Sequence, residues 1–130
     1  MALTKNAREL VATGTSNAVG ATIYGRVDLN AAQGPSRLTV KIKNGATGPT
    51  VQCTARVLIA HKAVLPAAGA AGADWKTHYP PVGPGVAANA EGEWSYPIGR
   101  EIMCLEVEFT GNTGQPVTVE AYLSELTAVA

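Results

Sequence analysis

Three residues of this chain carry side chains that together would suit a metal ion: His61, Asp74 and His78, two imidazoles and a carboxylate. Their spacing opposes that reading. His61 closes an alternating stretch, the other two fall in a segment rich in Ala, Gly and Pro, and no His-x-His or His-x-x-x-His pattern joins them. They read as exposed or locally hydrogen-bonded groups, and no metal or other cofactor is expected. Glu106 and Glu108 point the same way from one strand, as paired glycosidase carboxylates do; on a strand such a pair is ordinarily outward and solvated. Ser16, Ser36, Ser95 and Ser124 have no histidine at a recognisable spacing and no Gly-x-Ser-x-Gly turn. Cys53 and Cys104 would act as nucleophiles only if exposed, and both sit inside strand patterns. They read as two buried free thiols, with a disulfide between neighbouring strands as the alternative in an oxidising compartment. The Gly14 to Gly20 spacing lacks the Lys-Ser/Thr of a phosphate loop. No catalytic residue emerges, and the chain is not expected to be an enzyme.

The elements around these residues are strands. In Ser36–Lys43, Leu38, Val40 and Ile42 alternate with Thr39, Lys41 and Lys43, a period of two that only an extended strand with one wet face requires. Val19–Leu29 alternates likewise, with Ala21, Ile23, Val27 and Leu29 inward and Gly25 among them, a sign of a bulge or a close backbone approach. Asn44-Gly45 is a strong turn signal because both residues tolerate positive φ, and Thr47-Gly48-Pro49 extends the connection. In Thr50–Lys62, Val51, Cys53, Ala55, Val57 and Ile59 share a face. Leu58 and Ala60 fall on the opposite, polar face, so its far end is expected to be covered. Glu93–Ile98, Glu101–Thr110 and Pro116–Leu126 complete the set, and Arg8–Thr13 is a short strand after a polar N-terminal arm, residues 1–7. Seven or eight strands, frequent turns and no convincing long helix predict one domain over 1–130, an all-β antiparallel β-sandwich. Jelly-roll and immunoglobulin-like topologies both fit the count. The Cys-Trp-Cys spacing of immunoglobulin domains is absent, which favours a jelly roll.

Residues 63–92 interrupt this pattern. They are mostly Ala, Gly and Pro, and they read as one long loop, with a short helix between Ala67 and Lys76 as an option. Trp75 and Tyr79 stand out in it as bulky anchors. With Trp94 and Tyr96 they would make a sugar-stacking platform in a carbohydrate-binding sandwich; alternatively they fill a subunit contact or the loop's own small core.

Composition narrows the function classes. A chain of 130 residues buries roughly two-thirds of its unfolded surface, enough for a core without staples. Charged residues are only 15% and aromatics 5%, so part of the surface is expected to be covered by something other than water. Net charge is zero but segregated. Residues 1–62 carry Lys5, Arg8, Arg26, Arg37, Lys41, Lys43, Arg56 and Lys62 against Glu9 and Asp28; residues 63–130 carry eight carboxylates against Lys76 and Arg100. Either strands from the two halves lie side by side and pair these charges, or a two-signed surface steers docking. Nucleic-acid binding would need a net basic domain with interleaved aromatics, and is not expected. Residues 1–11 carry Lys5, Arg8 and Glu9 without an apolar core, and no apolar run approaches the ~20 residues of a membrane span. A soluble protein made in the cytoplasm, with no membrane partner, is therefore expected.

Taken together, the turn-rich strands of Val19–Lys62, the segment Lys43-Asn44-Gly45-Ala46-Thr47-Gly48-Pro49-Thr50, the Ala/Gly/Pro loop at 63–92 and the low-charge, Thr- and Ala-rich composition resemble the small β-sandwich decoration, or cement, proteins of tailed-bacteriophage capsids. The resemblance implies a non-enzymatic virion protein, made in the host cytoplasm and placed on the capsid surface. It would bind the major capsid protein and itself, as a dimer or trimer, and stabilise the shell by ligation. Lys5, Arg8, Trp75, Tyr79 and Trp94 are the expected partner contacts, and an edge strand is a further candidate for pairing with a partner. A phage tail-tube or connector protein and a carbohydrate-binding module are the alternatives.

Overall fold

Period-two alternation becomes eight strands: β1 Leu3–Asn17, β2 Ile23–Asp28, β3 Ser36–Asn44, β4 Thr54–Ala60, β5 Trp75–Val82, β6 Glu91–Ile98, β7 Cys104–Thr110 and β8 Val117–Val129. The computed structural model describes residues 3–69 and 74–129, and no helix occurs among them. The strands form two antiparallel four-stranded sheets, in the orders β1-β8-β3-β6 and β2-β7-β4-β5. Along the chain β1 pairs β8, β2 pairs β7, β3 pairs β6 and β4 pairs β5. This is a single long hairpin wrapped over itself, the jelly roll. Every connection except β4–β5 crosses from one sheet to the other.

The wrapped hairpin explains the charge segregation. It lays strands of the cationic first half against strands of the anionic second half. In register, Arg26 faces Glu106, Lys41 faces Glu93 and Glu120, Lys43 faces Glu91, and Arg56 faces Glu108. The ion pairs Arg8–Glu125, Lys41–Glu91, Arg56–Glu108 and Lys62–Asp74 each join a cation before residue 63 to an anion after it. Charge pairing across the sheets, the simpler of the two readings, accounts for the pattern.

The main core lies between the sheets. Leu38, Val40 and Ile42 of β3 and Val119, Ala121 and Leu123 of β8 face Val57 of β4 and Leu105, Val107 and Phe109 of β7, all fully buried. Each of these side chains except Ala121 contributes about 1.5–3 kcal/mol of apolar burial. Both seams of the sandwich are closed by specific contacts. On one, β1 passes so near β2 that a Cβ on Gly25 would lie 2.8 Å from the Leu10 carbonyl oxygen, the close approach that this glycine signalled. On the other, Tyr79 of β5 stacks on Tyr96 of β6 at 4.4 Å, and its hydroxyl donates to the Pro97 carbonyl at 2.8 Å. Cys53 is buried in the main core and Cys104 in a second cluster, both as free thiols.

Several expectations are corrected. Residues 3–7 are not an arm: they belong to a 15-residue β1 paired with the end of β8. The polarity of this stretch reflects its exposure: β3 stops pairing β8 at Ser124, and residues 3–9 all lie exposed. Residues 63–92 are not one loop, since β5 and the start of β6 lie within them. Pro80 and Pro81 masked β5; they are tolerated because β5 is an edge strand. The optional helix at Ala67–Lys76 lies partly outside the described residues, and at its far end Trp75 and Lys76 are strand. Asn44-Gly45 does not make a hairpin turn. Neither residue has positive φ, and the chain there crosses between sheets.

Candidate functional site

Four connections meet at one end of the sandwich: 18–22, 45–53, 83–90 and 111–116. None of their residues is Asp, Glu, Lys, Arg or His. They are joined to one another directly. The Gly20 amide donates to the Asn112 carbonyl, Thr50 and Thr113 exchange bonds through the Thr113 and Val51 carbonyls, and the Asn89 amide donates to the Gly45 carbonyl.

Three buried asparagines lock this arrangement. Asn17 Nδ2 donates to Asn112 Oδ1 at 2.7 Å and to the Ala21 carbonyl at 3.2 Å. Asn112 Nδ2 donates to the carbonyls of Asn17 and Gln115, both at 3.1 Å. Asn44 Nδ2 donates to the carbonyls of Gly85 and Ala87, and the Gly85 amide in turn donates to Gln52 Oε1 at 2.8 Å. All three asparagines are at most 1% exposed. Oδ1 of Asn17 and of Asn44 has no protein donor, so these two act through their nitrogens. The outcome is a fixed, uncharged surface. Val19, Val51 and Val86 crown it, each about half exposed on a different loop. A shallow cleft of about 440 Å³ runs along its flank between Ser16, Lys43, Asn89 and Thr118.

The expected contact residues are distributed elsewhere. Trp75 is 2% exposed: it packs with Leu58, Ala60 and Cys104 under Leu65, and its Nε1 donates to the Ala67 carbonyl at 3.0 Å. The chain from Lys62 to Gly69 thus straps the outer face of the second sheet, covering Leu58 and Ala60 as their position on a polar face required. Trp75 anchors the loop internally and offers no surface. Tyr79 and Trp94 are partly buried against the main core, in a different cluster from Trp75, so the four aromatics make no shared platform. Arg8 donates from Nε to the buried Glu125 carboxylate at 2.5 Å, whereas Lys5 is exposed on β1.

Glu106 departs from the expected outward pair. Glu108 remains partly exposed and holds Arg56 at 3.1 Å, but Glu106 is fully buried beneath the strap. The Gly69 amide donates to its Oε2 at 3.1 Å, while Oε1 has no partner. Burial raises the Glu106 pKa above the ordinary carboxylate value; the Gly69 amide opposes this, Glu108 adds to it, and Arg26 and Arg56 oppose it. Gly69 has φ +72°, and a Cβ there would press on the Tyr24 ring at 3.0 Å, so only glycine brings its amide to this carboxyl. Burial likewise pushes the Cys53 thiol up to about 11 and raises that of Cys104. Neither is poised as a nucleophile. Lys62, not a histidine, takes Asp74, at 3.4 Å. Among the described residues no three His, Cys, Asp or Glu side chains converge as metal ligands, and no helix is long and apolar enough to cross a membrane.

The uncharged end escaped the sequence reading because its residues lie in four separate connections. Only the strand order brings them together. The one available signal was that turn clusters at alternate connections all lack charge.

No family model matches the sequence, and no curated protein matches it. Solved structures do share the fold. A chain of the T13 particle of infectious bursal disease virus superposes with a TM-score of 0.55 at 10% identity, over 95% of this chain and 31% of that one. Tripeptidyl peptidase 2 gives 0.53 at 9% identity, over 93% of this chain and 10% of that one. Dimeric latent PorU from Porphyromonas gingivalis gives 0.51 at 10%, over 97% and 13%. This chain therefore spans about a third of the viral chain and far less of the other two. Identities this low establish a common sandwich fold.

Proposed function

We propose that this chain is a non-enzymatic structural protein of a virion, one that decorates an icosahedral shell and stabilises it by binding the shell protein. The observation that carries the reading is the uncharged loop end. A surface without charges loses no ion hydration when covered, and loops already fixed by buried amides lose little conformational entropy on docking. Adhesion is the task such a surface suits. The likeness to a chain of an icosahedral virus particle supports the same reading, as a likeness of fold.

On this reading the valines at the loop tips contact the shell, and bound copies oppose its rupture by mass action. The test substitutes Val51→Asp and Val86→Asp together; both side chains are about half exposed. Wild-type protein is mixed with shells purified from the cells that produce it, and the shells are sedimented. Wild type is expected to sediment with the shells and to raise their heat-rupture temperature. The double variant is expected to keep its own melting temperature and stay in the supernatant. A wild-type protein that ignores the shells removes the proposal, and a double variant that binds as wild type does removes the loop end as the contact.

A further inference from the structure

We propose that β1 is the surface through which two copies of this chain associate, antiparallel and edge to edge about a two-fold axis at Ala7. This adds a surface of self-association to the reading above, and rests on that reading only for its purpose.

The four sheet edges are unequal. An open edge is a template for another strand unless it is shortened, covered, or interrupted by Pro or charge. Edge β2 is six residues long and is overlain by β1 at Gly25. Edge β5 holds Pro80 and Pro81 and pairs irregularly with β4. Edge β6 holds Pro97 and two carboxylates, Glu91 and Glu93. Edge β1 is 15 residues long and has no proline. Its pairing with β8 shifts register at Thr4/Lys5, Glu9/Val11 and Val11/Thr15, so it is irregular too, but the first two shifts bound an uninterrupted run, Lys5–Glu9.

That run is complementary to itself. With Ala7 opposite Ala7 of a second copy, Lys5 faces Glu9, Glu9 faces Lys5, and Asn6 faces Arg8. Residues 5–9 are all exposed; Asn6 and Arg8 reach back to Glu125 on β8, and Glu9 accepts from the Tyr122 hydroxyl of β8 at 3.3 Å. Neither Lys5 nor Glu9 belongs to an ion pair among the described residues. Opposite charges directly across an antiparallel pair stabilise it, and like charges weaken it.

The same segment is thinly supported within one copy. Residues 3–6 pair with the end of β8 beyond the last β3 partner at Ser124, where the Gln33 amide donates to the Leu126 carbonyl but no third strand joins among the described residues. Two strands alone are marginal in water; three or more with a packed face are needed. Edge-to-edge association turns the ribbon into four strands, in the order β8-β1-β1-β8.

The test is charge reversal on the full chain, read by sedimentation velocity and native mass spectrometry. Wild type is expected to be a dimer. Lys5→Glu alone and Glu9→Lys alone each set like charges across both sides of the dyad, and each is expected to raise the dimer Kd about tenfold. Mixing the two single variants restores opposite charges, so a mixed dimer forms at wild-type affinity; the double variant K5E/E9K re-forms its own dimer. Melting temperatures confirm that each variant is folded. A wild-type monomer at high micromolar concentration overturns the proposal. So does a dimer whose Kd is indifferent to the single reversals, or one that neither the mixture nor the double variant restores. Shell sedimentation is scored separately: a β1 dimer that ignores shells leaves this inference standing, and a monomer that binds them removes it alone.

Discussion

The side-chain amide of Asn17 donates to Oδ1 of Asn112 at 2.7 Å, and both residues are wholly excluded from solvent. Asn17 ends the first strand and Asn112 lies in the last connection, so one hydrogen bond ties the opening of the fold to its close. Buried amides are costly unless paired, which makes such a network exacting: a misregistered arrangement strands several polar groups at once. The charge-free loops keep one geometry for this reason, although they are built from Gly, Ala, Thr and Pro.

Replacing Asn112 with Ala removes the acceptor for Asn17 and the donor to the carbonyls of Asn17 and Gln115. The expected loss is about 1–3 kcal/mol, the cost of leaving buried partners unmet. Asn112→Asp is expected to be no better than Ala: a carboxylate still accepts from Asn17 but cannot donate, and its charge is buried. Urea unfolding of the three proteins side by side checks this. Equal midpoints for wild type and Asn112→Ala would show that the network carries no stability.

Gly25→Ala probes the seam between β1 and β2. The new methyl would sit 2.8 Å from the Leu10 carbonyl oxygen and 2.9 Å from Val11 Cγ2, and the first is backbone. One strand must move. Overpacking of this kind costs about 1–3 kcal/mol, read as a lowered midpoint in chemical denaturation. An unchanged midpoint would mean that β1 yields there freely.

How far the sequence disclosed this molecule follows from which signals are local. Alternation gave the strand and inner face of Ser36–Lys43, because a one-residue slip would expose every apolar side chain. Of Val19–Leu29 it gave only the part from Ile23 on, since Val19 lies half exposed in the preceding connection. Leu58 and Ala60 on a polar face correctly implied a cover. What escaped was non-local. Glu106 looked solvated because its alternation places it outward, and only the strap from Lys62 to Gly69 buries it. Trp75 looked like an exposed anchor because its neighbours are small, yet those small neighbours are what let the chain fold down over it. The loop end is assembled by strand order, which the sequence narrowed to a jelly roll without showing which turns would meet.

Trp75 should therefore behave as a core residue. Trp75→Ala empties the centre of the second cluster and breaks the bond to the Ala67 carbonyl. A loss of about 3–5 kcal/mol is expected, in the range for deleting a buried large aromatic. In a variant lacking Trp94, the emission of Trp75 should be blue and resistant to iodide quenching. Red, quenchable emission would place Trp75 at the surface and discard the strap as described.

Glu106 provides the pH signature of the same strap. Its carboxyl holds its proton more tightly in the folded chain than in the unfolded one, since burial penalises the charged form more than the Gly69 amide and the two arginines favour it. Below the ordinary carboxylate range both states are protonated, and Glu106 adds no pH dependence. As pH rises through that range the unfolded chain releases the proton first, so stability falls with pH until the folded group also ionises. Glu106→Gln keeps an oxygen for the Gly69 amide and cannot ionise. Its stability advantage over wild type should be constant in acid, widen as pH rises through and above the ordinary carboxylate range, and level off once the folded group also ionises. Paired thermal melts across that interval isolate Glu106 from the other carboxylates, which both proteins share. A difference that stays flat across the interval, or narrows as pH rises, would mean that Glu106 ionises with the ease of an exposed carboxylate and is not held under the strap.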